Sequence, residues 1–217
     1  MRGFPLVLSA PSGGGKTTIA NALVAAREDV EYSVSATTRA PRPKEKDGVD
    51  YHFVSRGEFD RRVAAGEFLE WAEYGGERYG TLKAGIEKVL AAGRHAVLDI
   101  EIQGARAVKQ TYPDAVLVFI VPPSAEELMR RLGGPSGTRG SSLAARLKQA
   151  EVELREAPLY DYVVYNADRT EAVAEVAAIL DAESKRPRRN PELAEELADL
   201  GRDIGALADR LNTTKED

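Results

Sequence analysis

The run SAPSGGGKTT, residues 9–18, holds three successive glycines followed by a lysine and two threonines. Gly13, Gly14 and Gly15 would weaken either a helix or a strand. They suit a backbone that bends tightly around a large anion. Ala10, Gly15, Lys16 and Thr17 occupy the fixed positions of the G-x-x-x-x-G-K-[ST] pattern, with Ala10 in place of the first glycine. The loop Ala10, Pro11, Ser12, Gly13, Gly14, Gly15, Lys16, Thr17 and Thr18 is therefore expected to cradle phosphates with inward-pointing N–H groups at a helix N-terminus. Lys16 would reach the β- and γ-phosphates, and the Thr17 hydroxyl would bind Mg²⁺. The ligand implied is a nucleoside triphosphate, most simply ATP. A GTPase should read guanine with N-K-x-D after a later strand, and YNADR at 165–169 lacks the lysine. The chain is short for a large ATPase, so a nucleotide or metabolite kinase is the expected class.

A second group of residues points to the acceptor. Arg39 and Arg42 lie three apart in a proline-rich, charged stretch, RAPRPKEKDGVDY, at 39–51. Two converging guanidinium groups suit a phosphate monoester, which accepts bidentate hydrogen bonds. Tyr51 and Tyr79 add phenolic donors to the same region. Asp99 ends the apolar run HAVLD. There its carboxylate would either hold Mg²⁺ through water or touch the acceptor, and the residues leave both open. His52 and His95 have no acidic partners at catalytic spacing and read as core or strand positions.

The elements around these residues alternate. Phe4–Ser9 reads as a buried strand and Lys16–Ala26 as a helix. A short strand is expected at 31–35 and a helix over Val54–Ala65, with Ser55 as N-cap and Glu58 three residues on. Two strands flank a Gly75-Gly76 turn within 68–80. Thr81–Ala92 reads as a helix stopped at Gly93. His95–Ile100 and Val116–Val121 are nearly all apolar, as strands covered on both faces are. Helices are expected at 102–110, 124–132, 143–156 and 170–184, and a strand at 161–165. Strand–helix alternation predicts an α/β fold with a doubly wound parallel sheet. KRPRRNP, 185–191, reads as a flexible basic linker. Beyond it Leu193, Leu197, Leu200, Ile204, Leu207 and Leu211 alternate spacings of four and three, a heptad seam. That seam would either pack back on its own domain or pair with another subunit as a homo-oligomer, and its narrowness favours the second.

Composition bounds the rest. The 217 residues are 43% hydrophobic, enough for one α/β domain with a proper core. A net charge of −5 argues against general nucleic-acid binding. The absence of cysteine excludes disulfides and thiolate metal sites. No run is long and apolar enough to span a bilayer or to read as a signal peptide, so a cytoplasmic protein with no membrane partner is the expectation.

Taken together, SAPSGGGKTT, SVSATTRAPRPKEKDGVDYHFV (33–54), FLEWAEYGGERYG (68–80), VLDIEIQGA and FIVPPS resemble the guanylate kinase family in order and spacing, from residue 6 to about 184. The resemblance implies a P-loop kinase fold over 1–184, with a core at 1–34 and 87–184, an acceptor-binding insert at about 35–86 and a mobile lid at about 133–145. Residues 185–217 would form the linker and an amphipathic helix. It implies transfer of the γ-phosphate of ATP to GMP, giving ADP and GDP, with Mg²⁺. Arg39, Arg42, Tyr51 and Tyr79 match positions that hold the GMP phosphate. Glu70 matches the carboxylate that reads guanine, supported by Ser35, Thr81 and Asp99. Glu101 stands where many members have Asp. Arg131 and Arg146 match lid-flanking arginines that act with Lys16 and Arg42 on the transferring phosphate. Asn166 matches a residue near the adenine. The usual middle lid arginine is absent: position 135 is Pro, and Arg139, four residues later, is its candidate replacement. The same resemblance fits non-catalytic scaffolding domains of this fold, which the intact Gly15-Lys16-Thr17, Arg39 and Arg42 disfavour, and a kinase for another monophosphate, which Glu70 disfavours.

Overall fold

A computed structural model describes residues 3–43, 45–133 and 142–213 of the chain. Five strands form one parallel sheet: β1 (Pro5–Ser9), β2 (Val30–Tyr32), β7 (His95–Asp99), β8 (Val116–Val121) and β9 (Tyr162–Tyr165), in the order β2-β7-β1-β8-β9. All five residues of the central strand β1 are buried. Their side chains alternate between two cores. Leu6 and Leu8 point with Val97 toward α1 (Lys16–Ala26) and α7 (Arg169–Ser184), against Ile19, Leu23, Val176 and Leu180. Val7 points with Ala96 and Leu98 to the other face, against α3 (Lys83–Ala91) and α4 (Ile102–Thr111). Helices on both faces explain the continuous apolar strands. They make the sheet doubly wound, as the alternation of elements predicts.

Register places the strand ends together. Leu8 pairs with Asp99 and Ser9 with Phe119, so β1, β7 and β8 finish side by side. Ligands of open α/β sheets bind outside these carboxyl ends. Asp99 shares the face of Val97, two residues before it, and so points toward α1 rather than toward α4.

A second, mixed sheet is built from β3 (Ala36–Thr37), β4 (His52–Phe53), β5 (Phe68–Tyr74) and β6 (Glu77–Leu82), in the order β4-β3-β6-β5. Its core is Ala36, Phe59, Phe68 and Leu82, with the Phe59 and Phe68 rings stacked at 4.4 Å. Phe59 comes from α2 (Arg56–Ala64), whose N-cap Ser55 accepts a hydrogen bond from the Glu58 N–H as expected. Thr81 and Leu82, by contrast, belong to β6 and not to a helix: antiparallel pairing with β5 outweighs their helical context, and α3 starts at Lys83. The two-residue strands β3 and β4 are too short to carry a periodic signal. The chain continues through α5 (Ala125–Leu132) and α6 (Leu143–Leu154). Of the lid segment, residues 134–141, including Pro135 and Arg139, lie outside the described residues.

The basic stretch after α7 is docked, not free. Arg189 is 5% exposed and its guanidinium lies 4.0 Å over the Phe4 ring. It donates to Glu183 Oε2 at 2.8 Å and to the Asp114 carbonyl at 2.9 Å. Glu183, also buried, accepts from Tyr162 and pairs with Arg186. Composition alone reads such a stretch as solvated, because a buried cation becomes favourable only when a ring and a carboxylate meet it in space. Past this anchor, α8 (Leu193–Thr213) leaves every described side chain from Ala194 to Ala208 exposed. The leucine seam therefore does not pack on its own domain. Among the described residues no helix is long and apolar enough to cross a membrane.

Arg189→Met should destabilise the fold by about 3 kcal/mol, because Glu183 stays buried and loses its one buried charged partner, keeping only Tyr162 and the more exposed Arg186. The pKa of Glu183 sits below the ordinary 4.5: burial alone would raise it, but hydrogen bonds from Tyr162 and Arg189 prevail. The contribution is therefore complete above pH 4.5 and vanishes as pH falls through the lowered folded-state value. Thermal melts of both proteins should show a gap at pH 7 that closes in strong acid.

Candidate active site

The glycine loop bends where its sequence permits. Gly13 and Gly15 adopt φ of 80° and 97°, the left-handed region that side chains with a Cβ avoid. Gly15 is also the N-cap of α1. A Cβ on Gly15 would lie 2.4 Å from the Asn166 amide nitrogen, which donates to the Gly14 carbonyl at 2.9 Å. Asn166 is thus a buried strut behind the loop. A cavity of about 640 Å³ opens here, lined by residues 11–18, Glu127, Arg130, Arg131, Arg146, Asn166, Ala167 and Arg169.

Lys16 closes the inner end. Its Nζ donates to Glu101 Oε1 at 2.6 Å and stands 3.8 Å from Asp99 Oδ1. Burial works against the Lys16 charge, but Glu101 and Asp99 outweigh it and raise its pKa. Burial pushes the Asp99 carboxyl up, against the opposing pull of Lys16 and of the Thr17 and Tyr32 side chains. Asp99 Oδ1 is buried with no hydrogen-bond partner among the described residues. An orphaned carboxylate oxygen beside a threonine hydroxyl is a donor set that suits a hard divalent cation, which takes one or two protein oxygens and completes its shell with phosphate and water.

Arg131 and Arg146 both line the cavity. Arg131 donates to the carbonyls of Asn166 at 3.0 Å and Gly14 at 3.4 Å, and is held by Glu127 at 2.7 Å. Arg146 donates to the Leu132 carbonyl at 2.7 Å and keeps a buried Nε unsatisfied. Arg130, more exposed, pairs with Glu127 at 2.7 Å.

The second sheet presents the acceptor candidates. Arg39 pairs with Glu45 at 3.0 Å, sits 5.5 Å over the Tyr51 ring and interacts with Tyr79. The Tyr51 and Tyr79 rings are 6.0 Å apart. Arg39 Nε is likewise buried without a partner. Orphaned guanidinium N–H groups carry a desolvation cost that an anion would relieve. Arg42 is exposed, and its backbone N–H donates to Glu45. Ser35 lies between the sheets, its carbonyl accepting from the His52 N–H.

Glu70 on β5 accepts a hydrogen bond from Thr81 Oγ1 at 2.6 Å. Burial raises its pKa, with the Thr81 hydrogen bonds opposing. It lies against the backbone of α4 at Gly104, where a Cβ would come within 3.0 Å of the Glu70 carboxyl carbon. Three supporting residues escape sequence reading. Gly104 gives Glu70 room, Glu45 orients Arg39, and Tyr32 touches Asp99 from the adjacent strand. Only the glycine inside an otherwise helical run carries a signal, since such a glycine marks close backbone approach.

The guanylate kinase family model matches residues 2–183. A guanylate kinase of Symbiobacterium thermophilum is 49% identical over 87% of this chain and 90% of its own length. One from Thermus thermophilus is 48% identical over 96% and 94%. The crystal structure of guanylate kinase from Anaplasma phagocytophilum superposes with a TM-score of 0.75 at 39% identity, covering 91% of this chain and 95% of that one. With these matches spanning both sheets and the glycine loop, the chain belongs to the guanylate kinase family.

Proposed function

We propose that this chain is an ATP:GMP phosphotransferase that moves the γ-phosphate of ATP to GMP, giving ADP and GDP. Family membership supports the activity. The single observation that best supports the acceptor is the half-buried Glu70 carboxylate, fixed by Thr81 at 2.6 Å on the same small sheet that carries Tyr79 and, with it, the Arg39–Tyr51 group. Guanine presents N1–H and N2–H₂ as adjacent donors, which two carboxylate oxygens match. Adenine would leave one oxygen unpaired at a cost of about 1–3 kcal/mol, more for a charged group.

In this reading the glycine loop binds the donor triphosphate and Lys16 leaves Glu101 to meet its β- and γ-oxygens. Arg39 and Arg42 hold the acceptor phosphate with Tyr51 and Tyr79, and Ser35, Thr81, Asp99 and Glu101 line the purine side. Arg131 and Arg146 offset charge spreading over the moving group, the main task in phosphoryl transfer. Asn166 buttresses the loop near the adenine. Thr17 and Asp99 would hold Mg²⁺, which when bound supplies charge neutralisation on the phosphates. The exposed stripe of α8 supports, independently of the chemistry, self-association of the chain.

The reading is checked by ADP release with ATP, Mg²⁺ and a panel of monophosphates. GMP should be used, with AMP and CMP poor. No rate above background with GMP would overturn it. Lys16→Ala should cut turnover by several orders of magnitude. Glu70→Ala should lower kcat/KM for GMP about 10–100-fold while narrowing its lead over AMP. Gly104→Ala should act in the same direction, mainly through KM for GMP, because the added methyl displaces the Glu70 carboxyl and leaves the donor loop untouched. A Gly104→Ala enzyme with unaltered GMP affinity would show that Glu70 is not held by this contact.

A further inference from the structure

The helix α8 is unusual in what it lacks. Leu197, Leu200, Ile204 and Leu207 are 52–57% exposed, although they form a single stripe. Gly201 and Gly205 sit inside the helix, each weakening it relative to alanine. A helix with no tertiary cover and two internal glycines is marginal in water. Its stripe therefore calls for an occupant.

The sequence around the stripe says which one. In heptad terms Leu197 and Ile204 are a positions, and Leu193, Leu200 and Leu207 are d positions. The e flank is Ala194, Gly201 and Ala208, all small. The g flank is Glu196, Asp203 and Arg210, all charged. A parallel pair would set g against e, so each charge would face an alanine or glycine and gain nothing. An antiparallel pair sets e against e and g against g. The small flanks then meet, and the two backbones approach closely. Leu197 of one copy packs on Leu207 of the other, and Leu200 on Ile204. Glu196 of each copy lies beside Arg210 of the other, two attractive pairs per dimer. Asp203 faces its own copy at the two-fold axis, the one unfavourable contact. A membrane surface is disfavoured by charge, because the helix carries five acidic and two basic residues.

We infer that two copies of this chain pair their α8 helices antiparallel, through the Leu197–Leu200–Ile204–Leu207 stripe and the Ala194–Gly201–Ala208 flank. The inference rests on self-association through α8 and adds its direction and register. The Arg189 anchor on Phe4 ties the start of α8 to the domain, so the helix is presented at a defined place. Because a two-helix contact is small, the dissociation constant should be on the order of micromolar.

Sedimentation of the full chain at increasing concentration tests both levels. The mass should rise from 23.5 kDa toward twice that value. Leu200→Glu with Ile204→Glu should hold it at the monomer while leaving GMP phosphorylation unchanged. Asp203→Asn should tighten the dimer several-fold, since it removes the like-charge contact that only the antiparallel pair makes. The chain has no native cysteine, so single cysteines report direction cleanly. Gly201→Cys should form a disulfide-linked dimer on oxidation, and Leu193→Cys should not. A chain that stays monomeric at all concentrations overturns self-association and the arrangement together. A dimer that links through Leu193→Cys but not Gly201→Cys overturns the antiparallel arrangement and leaves self-association standing.

Discussion

The whole site depends on one electrostatic arrangement, a lysine held among carboxylates at the mouth of an anion nest. Lys16 sits between Glu101 and the buried Asp99 because β1 and β7 run parallel, in register, and end at the same level. The glycine loop leaves β1 at that level and turns into α1. Within that loop the Ser12 N–H donates to Glu153 at 3.2 Å and the Gly14 N–H to the Pro11 carbonyl at 2.8 Å. Glu101 occupies the lysine at 2.6 Å as a phosphate oxygen would, though it is a largely solvated carboxylate. A polyphosphate carries more charge than Glu101 and meets the loop N–H groups as well. In the proposed reading, exchange of one partner for the other keeps the lysine ionised throughout, and the Asp99 oxygen that lacks a hydrogen bond is left for a cation.

The acceptor side solves the opposite problem. In the proposed reading a carboxylate is held there ready for a neutral base, in a position that water does not fully solvate. Thr81 fixes one Glu70 oxygen, and the backbone at Gly104 closes off the space behind it. Arg39, a few residues of sheet away, is held by Glu45 and the tyrosine rings, so its charge is directed before any ligand arrives. Preorganisation of this kind places the reorganisation cost in folding, where the two sheets supply it, and not in binding. The second sheet is small, with a core of four buried apolar side chains and a stacked Phe59–Phe68 pair.

The C-terminal segment puts two physical rules side by side. Arg189 is a charged residue buried by a ring and a carboxylate, while Leu197, Leu200, Ile204 and Leu207 are apolar residues left in water. Each inverts the expectation for its residue type, and each makes sense as half of a contact. The first half is completed within the chain by Glu183 and Phe4. The second is complete only when another surface covers it.

Much of the molecule follows from local rules. Glycines before Lys16-Thr17, apolar strands flanked by periodic helices and the Ser55 N-cap each act within a few residues. The doubly wound sheet, the glycine loop and the bounds of α1 are therefore readable along the chain, and α2 is readable with its Ser55 cap, although it starts at Arg56 and not at Val54. Arg39, Tyr51 and Tyr79 show in the sequence only as donors gathered in one region, and Glu70 is readable only as a member of a resemblance, because nothing near it in sequence distinguishes a binding carboxylate from a solvated one. Long-range pairing decides the remainder. Antiparallel contact with β5 makes Thr81 a strand residue and turns it to face Glu70. Parallel register puts Tyr32 and Asp99 on one face, and helix α4 brings Gly104 to Glu70 across 34 positions. Such contacts depend on which faces meet in three dimensions, and periodicity along one segment carries no information about its partner.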